Sequence, residues 1–378
     1  MSGALHGACS AGNLEEVRRL CAAGADPLAP DDSGICPLHL ACGHADVLRF
    51  LLTEHGAGAR AADALGRTPL HYATKQGAAD CILQLLRAGA DVGARDKYGR
   101  SPLHLATTVE AALPLLEAGA NANDADNRGR TPLHGACNRD DVDLARLLLS
   151  SGADPSAADT VHEYAPLHLS KSDRMTEMLL HAGADVHAMC ASAETPLHCA
   201  CTSDRAGSVR MLLAAGASAL AENCHGEDAL EIAMCPSTKG WDESVVHALL
   251  DSLSPGSLDE KHGCLLCAAI GSRKFDIARK LIYLGAPLLR LDSFYRCTPL
   301  HLACKYDTTG DFVREFATAE AIRACDGIRR AGAIPISLLE YAIVHQNTEA
   351  INVLTQRGAK EGKKHRPGPR PVQNGQAP

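Results

Sequence analysis

An all-α solenoid of stacked helix pairs is the fold class that three observations predict. Pro-Leu-His recurs at residues 37–39, 69–71, 102–104, 132–134, 166–168, 196–198 and 299–301, with Ala4-Leu5-His6 as a variant opening. The intervals between histidines from His39 to His198 are 32, 33, 30, 34 and 30 residues. Between successive copies lies a Leu-rich run ending in Gly-Ala, which reads as a second helix and its stop. A unit of this size cannot bury its own apolar face, so neighbours must stack into one continuous core.

The copy Thr131-Pro132-Leu133-His134-Gly135-Ala136 shows why each residue type is needed. Thr131 can cap the orphan amides of a starting helix, and Pro132, which lacks an N–H, suits the first helical position. Leu133 and Ala136 lie three apart on one face, a large and a small residue for close packing. The run 145–151 forms the second helix, and Gly152 can adopt the left-handed conformation that stops it. Asp126 and Gly129 supply turn chemistry for a short hairpin between units. With its Thr-Pro-Leu-His-x-Ala period near 33 residues, the chain resembles the ankyrin-repeat family over nearly all its length. That resemblance implies a helix-turn-helix plus β-hairpin loop per repeat, about ten or eleven repeats in all. It also implies that the motif histidine braces the hairpin-to-helix junction by hydrogen bonds.

Residues 1–226 read as seven regular repeats. The first lacks Thr-Pro, as suits a terminal capping unit. Repeats four and six read as trimmed in the loop between their two helices. In repeat four, residues 107–110 pass quickly into Leu115 and Leu116, with Pro114 near the start of the second helix. In repeat six the shortening falls at 171–174. Residues 227–360 read as four divergent repeats. Repeat eight substitutes Asp228-Ala229-Leu230-Glu231 and continues into an extended loop at 236–241. Repeat nine substitutes Cys264-Leu265-Leu266-Cys267, and repeat ten carries an insertion at 305–311. Repeat eleven, from Ser337, is the C-terminal cap. Residues 361–378 read as a disordered basic and Pro/Gly-rich tail.

Composition narrows the function classes. Aromatics are only 3% of the chain, so Leu and Ala must do most of the packing. The net charge of −8 argues against a role dominated by nucleic-acid phosphate. The opening residues lack the basic and apolar regions of a secretory leader, and no stretch approaches the roughly 18 apolar residues of a membrane span. Sixteen cysteines without such a leader are expected to stay thiols. The expectation is a cytoplasmic protein, with the nucleus left open, that is monomeric and binds neither membrane nor nucleic acid.

Eight histidines, at 6, 39, 71, 104, 134, 168, 198 and 301, occupy the Leu-His position on separate repeats, so bracing is a better reading than a metal site. Cys264-x-x-Cys267 has a spacing found in zinc and redox sites. Here, however, the two cysteines replace the Thr and His of the motif and lack a matching second pair, so buried thiols are expected. His198 and Cys201, one helical turn apart, receive the same reading. No nucleotide loop, Gly-x-Ser-x-Gly elbow or His-Glu-x-x-His motif occurs, and neither catalytic residues, cofactor nor metal is expected. Lys363-Lys364-His365-Arg366 reads as solvated tail rather than a localisation patch. Asn123 lies where the family resemblance implies asparagine hydroxylation in some members; a plain turn-forming Asn is the simpler reading.

The resemblance places binding at the hairpin tips and the exposed face of the first helices. The tips of repeats three to six carry Lys97, Tyr98 and Arg100, then Asn127, Arg128 and Arg130, then His162 and Tyr164. Tyr and Arg are the types most enriched in interface hot spots. These cations on an acidic chain suit a partner with acidic groups, such as a peptide lying along the groove; solubilising charge is the alternative. A second surface is suggested by the aromatics, most of which lie from Trp241 onward. Trp241, Phe294 and Tyr295 are its interface candidates, while Phe275 and Phe312 read as gap fillers. The expected function is a non-catalytic protein–protein interaction scaffold or adaptor. The alternatives are a regulatory subunit or effector, or a ubiquitin-ligase substrate receptor resembling ankyrin arrays joined to a SOCS box. Residues 343–378 show no such box.

Overall fold

The computed structural model describes residues 2–56, 58–235, 241–290, 297–327 and 337–359. Its regular elements are α-helices and 3-10 turns, with no strand among the described residues. By internal contacts the chain divides between Ala233 and Met234.

The first unit is a series of helix pairs. Repeat three pairs Pro69–Gln76 with Ala79–Arg87, repeat five pairs Pro132–Arg139 with Val142–Ser150, and repeat seven pairs Pro196–Thr202 with Ala206–Ala214. Repeats four and six are shortened, but the loss falls on the first helix rather than on the inter-helix loop where the sequence placed it. Their first helices shrink to the 3-10 turns Pro102–Leu105 and Pro166–Leu169, followed by Val109–Glu117 and Asp173–His181. The first helices stand side by side in sequence order.

Each helix start is built as the motif predicts. Thr131 N–H donates to His134 Nδ1 at 3.1 Å, and the Thr131 hydroxyl lies 2.9 Å from the same nitrogen. Because Nδ1 accepts, Nε2 carries the proton and donates to the Tyr164 carbonyl at 2.9 Å, one repeat further on. His39, His71, His104 and His168 repeat this link to Arg67, Arg100, Arg130 and Glu194. The family brace is therefore also an inter-repeat tie. At the second-helix end, Gly152 has φ +87° and stops the helix as expected. Leu38, Leu70, Leu103, Leu133, Leu167 and Leu197 are all buried, and they form the continuous core with the motif alanines.

The brace weakens at repeat seven. His198 keeps its Nδ1 contact to Thr195, but its buried Nε2 has no partner among the described residues. In the next repeat a carboxylate replaces the imidazole. Asp228 Oδ1 accepts from Glu231 N–H at 2.9 Å, and Glu231 Oε2 accepts from Asp228 N–H at 3.0 Å. This is a reciprocal capping box.

The second unit packs Gly263–Gly271, Pro299–Tyr306 and Leu338–Val344 in a row. Phe312 is fully buried and its ring centroid lies 5.4 Å from that of Phe275, the gap-filling role expected of both. The Ser337–Glu340 pair forms another capping box.

Two further local expectations need correction. Pro114 lies well inside Val109–Glu117 rather than near its start, because Thr108 already caps a helix beginning at Val109. Cys264 is exposed while Cys267 is buried, so they are not a pair of buried thiols. The helix of repeat nine starts early, at Gly263, behind the turn Glu260–His262. Asp259 N–H donates to His262 Nδ1 there, which takes the capping role away from Cys264. In repeat ten, the Asp307 carboxylate organises a lengthened connection by accepting from Gly310 and Val313 N–H. An additional helix, Ala319–Gly327, follows and has no counterpart in the sequence reading. Phe294, Tyr295 and the tail from 361, with its basic cluster, lie outside the described residues.

Candidate protein-interaction surface

The tips that begin at Asp31, Asp63, Asp96, Asp126 and Asp159 are each organised by that aspartate, whereas Asn223 does the same work at 223–227. Asp96 Oδ1 accepts from the N–H groups of Tyr98 at 2.9 Å and Arg100 at 3.0 Å, while Oδ2 accepts from the Arg100 guanidinium at 2.9 and 2.7 Å. Burial alone would raise the Asp96 carboxyl; these hydrogen bonds outweigh it and hold the group below the ordinary carboxylate value. Asp126 receives Arg128 and Arg130 N–H in the same way. Gly129 is required in that turn: its φ is +75°, and a Cβ there would stand 2.6 Å from Thr160 N. Adjacent tips are joined by single backbone bonds, such as Asn127 N–H to Tyr98 O at 2.9 Å and Thr160 N–H to Arg128 O at 2.8 Å.

The predicted tip residues therefore divide. Arg100 is held by Asp96, Arg130 reaches Asp159 of the next repeat at 3.4 Å, and Asn127 Nδ2 donates to Lys97 O. These three serve the stack. Tyr98 is 49% exposed and stands between two cations, Arg100 at 4.9 Å and Lys97 at 5.6 Å from its ring centroid. Lys97 and Arg128 belong to no ion pair among the described residues. His162 is exposed and lies 5.6 Å from the ring of half-buried Tyr164. Val161, which the sequence reading passed over, is exposed on the same tip. Asn123 bridges repeats: its Nδ2 donates to Gly152 O at 2.8 Å and its Oδ1 accepts from Asp154 N–H at 2.7 Å. Trp241 is half-buried in the second unit.

Below the tips, the trimmed helices leave two depressions. One, of about 310 Å³, is lined by Arg67, His71, Tyr72, Lys75, Gln76 and Leu105. The other, of about 130 Å³, involves Arg130, His134, Gly135, Asn138 and Leu169, with Arg100, His104, Asp126 and Thr131. The sequence signal was the pair of 30-residue intervals, which marked the shortened repeats but not the space they open.

Comparison with known proteins settles the class. The family description Ankyrin repeats (3 copies) matches residues 2–63, 43–126, 70–159 and 109–190, and Ankyrin repeat matches 194–224, together more than half of the chain. The chain belongs to the ankyrin-repeat family. It is similar to a Danio rerio protein assigned as palmitoyltransferase ZDHHC13, at 29% identity over 229 residues, 59% of this chain and 31% of that protein. Palmitoyltransferase ZDHHC17 of Danio rerio is 34% identical over 195 residues, 49% of this chain and 32% of that protein. Cyclin-dependent kinase inhibitor 2A of Homo sapiens is 42% identical over 84 residues, 22% of this chain and 53% of that protein. The chain thus spans about a third of the two Danio rerio relatives. Its repeats support a protein-interaction role.

Proposed function

We propose that this ankyrin-repeat protein is a non-catalytic interaction scaffold or adaptor whose partner lies along the tips and first helices of repeats three to six. The observation that carries the reading is Tyr98, an exposed ring flanked by cations on an otherwise acidic chain. An aromatic held this way loses little freedom on binding, and Tyr is enriched in hot spots. Lys97 and Arg128 favour acidic groups on the partner. A regulatory subunit is the second reading, favoured by relatives named as a cyclin-dependent kinase inhibitor and a protein phosphatase 1 regulatory subunit.

The test is affinity capture with crosslinking mass spectrometry, followed by binding measurements on the captured partner. Tyr98→Ala combined with Arg128→Ala should weaken it by roughly 2 kcal/mol or more, as truncation of hot-spot residues does. Thermal stability should barely change. If Trp241→Ala with Phe294→Ala weakens binding instead, and the tip pair does not, the groove reading is wrong.

A further inference from the structure

We propose that the two depressions are matched sockets for one extended acidic segment, which seats two apolar side chains about six residues apart. This deepens, and rests on, the groove reading above.

The sockets are equivalent by position. Arg67 and Arg130 both stand four residues before the motif histidine, and His71 and His134 are those histidines. Leu105 and Leu169 both follow the histidine of the next, trimmed repeat. Each socket thus lies where a full first helix meets one cut to a 3-10 turn, and the missing helical turn is the space. The half-buried leucine that ends each cut turn gives the socket an apolar side. The linings differ elsewhere: Gln76 belongs only to the first, and Arg100, His104, Asp126 and Thr131 only to the second. Tyr72 and Lys75 at the first become Gly135 and Asn138 at the second, so the first offers a ring that the second lacks, while each keeps a second cation, Lys75 at the first and Arg100 at the second. One water's share of liquid is about 30 Å³, so even the smaller space admits a branched aliphatic side chain.

The spacing follows from packing. Neighbouring helices lie about 8–10 Å apart, so equivalent points two repeats apart are separated by about 16–20 Å. An extended chain rises about 3.3 Å per residue and a polyproline-type chain about 3.1 Å, so about five to six residues span that distance. Side chains return to the same face every second residue in the first conformation and every third in the second. Six satisfies both. Charge selects the rest of the occupant: Lys75 at the first socket and Lys97 and Arg128 on the tips belong to no ion pair among the described residues.

The test uses labelled Glu- and Ser-rich peptides whose two leucines stand two, four, six or eight positions apart, with a single-leucine peptide as reference. Affinity for the full chain is read by fluorescence polarisation. The six-spaced peptide should bind at least about tenfold more tightly than the reference, as expected from burying a second leucine. Leu105→Glu or Leu169→Glu should each remove that advantage, with circular dichroism confirming an intact stack. The spacing series on the unaltered protein needs no variant to fold. Binding that ignores spacing but is lost in the Tyr98→Ala, Arg128→Ala double variant overturns the sockets and leaves the groove standing. Absence of binding by every acidic peptide overturns both.

Discussion

Arg139 of repeat five donates to the carbonyl of Ala106 at 2.8 Å, the residue that ends the trimmed first helix of repeat four. Arg205 of repeat seven does the same for repeat six, donating to Ser170 O at 2.5 Å. Cutting a helix to a single 3-10 turn exposes carbonyls that its lost turn would have covered. In both cases an arginine from the following repeat closes the end. The latches differ in environment: Arg139 is exposed, whereas burial of Arg205 pulls its pKa below the ordinary value.

That difference orders two variants. Arg205→Ala should destabilise the first unit by about 1.5–3 kcal/mol, the range for hydrogen bonds to charged groups, and Arg139→Ala by about 1 kcal/mol or less. Urea melts of both variants check the order. Equal costs, or a larger cost at Arg139, would contradict it.

The repeats, their histidine cap and the two shortenings were legible because each rests on local chemistry, such as Thr131 with His134 or Gly152 after a leucine run. The latches were not, because Arg205 lies 35 residues from Ser170 and no local pattern joins them. The tip cations showed the same limit. Sequence displays Arg100 and Arg128 alike, yet only Arg100 has an aspartate positioned to hold its guanidinium. In the second unit, helix Ala319–Gly327 was missed because it lacks the motif that punctuates the other helices.

The bracing histidines make stability depend on pH. Burial holds His71, His104, His134 and His168 below their ordinary value of 6.5. As pH falls through 6.5 the unfolded chain takes up protons that the folded imidazoles refuse, so stability is full above 6.5 and declines below it. The carboxyls of Asp63, Asp96 and Asp159 are held below 3.8 and stay ionised in this window. Lowering pH by about two units from 7.5 should lower the unfolding free energy and with it the urea midpoint, each buried histidine acting in the same direction. A midpoint that is unchanged or higher would contradict the assignment of Nδ1 as acceptor.

Leu133 is fully buried in repeat five. Leu133→Ala should cost on the order of 2–5 kcal/mol, and nearest-neighbour coupling should centre the damage on repeats four to six. Native-state hydrogen exchange distinguishes this from uniform loss across the unit, which would contradict repeat-by-repeat stacking.

The thiols should react in two classes. Cys224, Cys235 and Cys264 are exposed, whereas Cys137 and Cys201 are buried and burial pushes both to about 12. Brief alkylation of the native protein followed by mass spectrometry should modify the first group and spare the second. With Cys264 facing out and Cys267 facing in, the pair should hold no stoichiometric zinc. Elemental analysis finding one zinc per chain would refute that expectation.

Hydrogen exchange of the protein with and without its captured partner tests the groove most directly. The groove account predicts new protection at tips 97–100 and 127–130 and in the first helices Pro69–Gln76 and Pro132–Arg139. Protection confined to the second helices, or to residues from Trp241 onward, would contradict it.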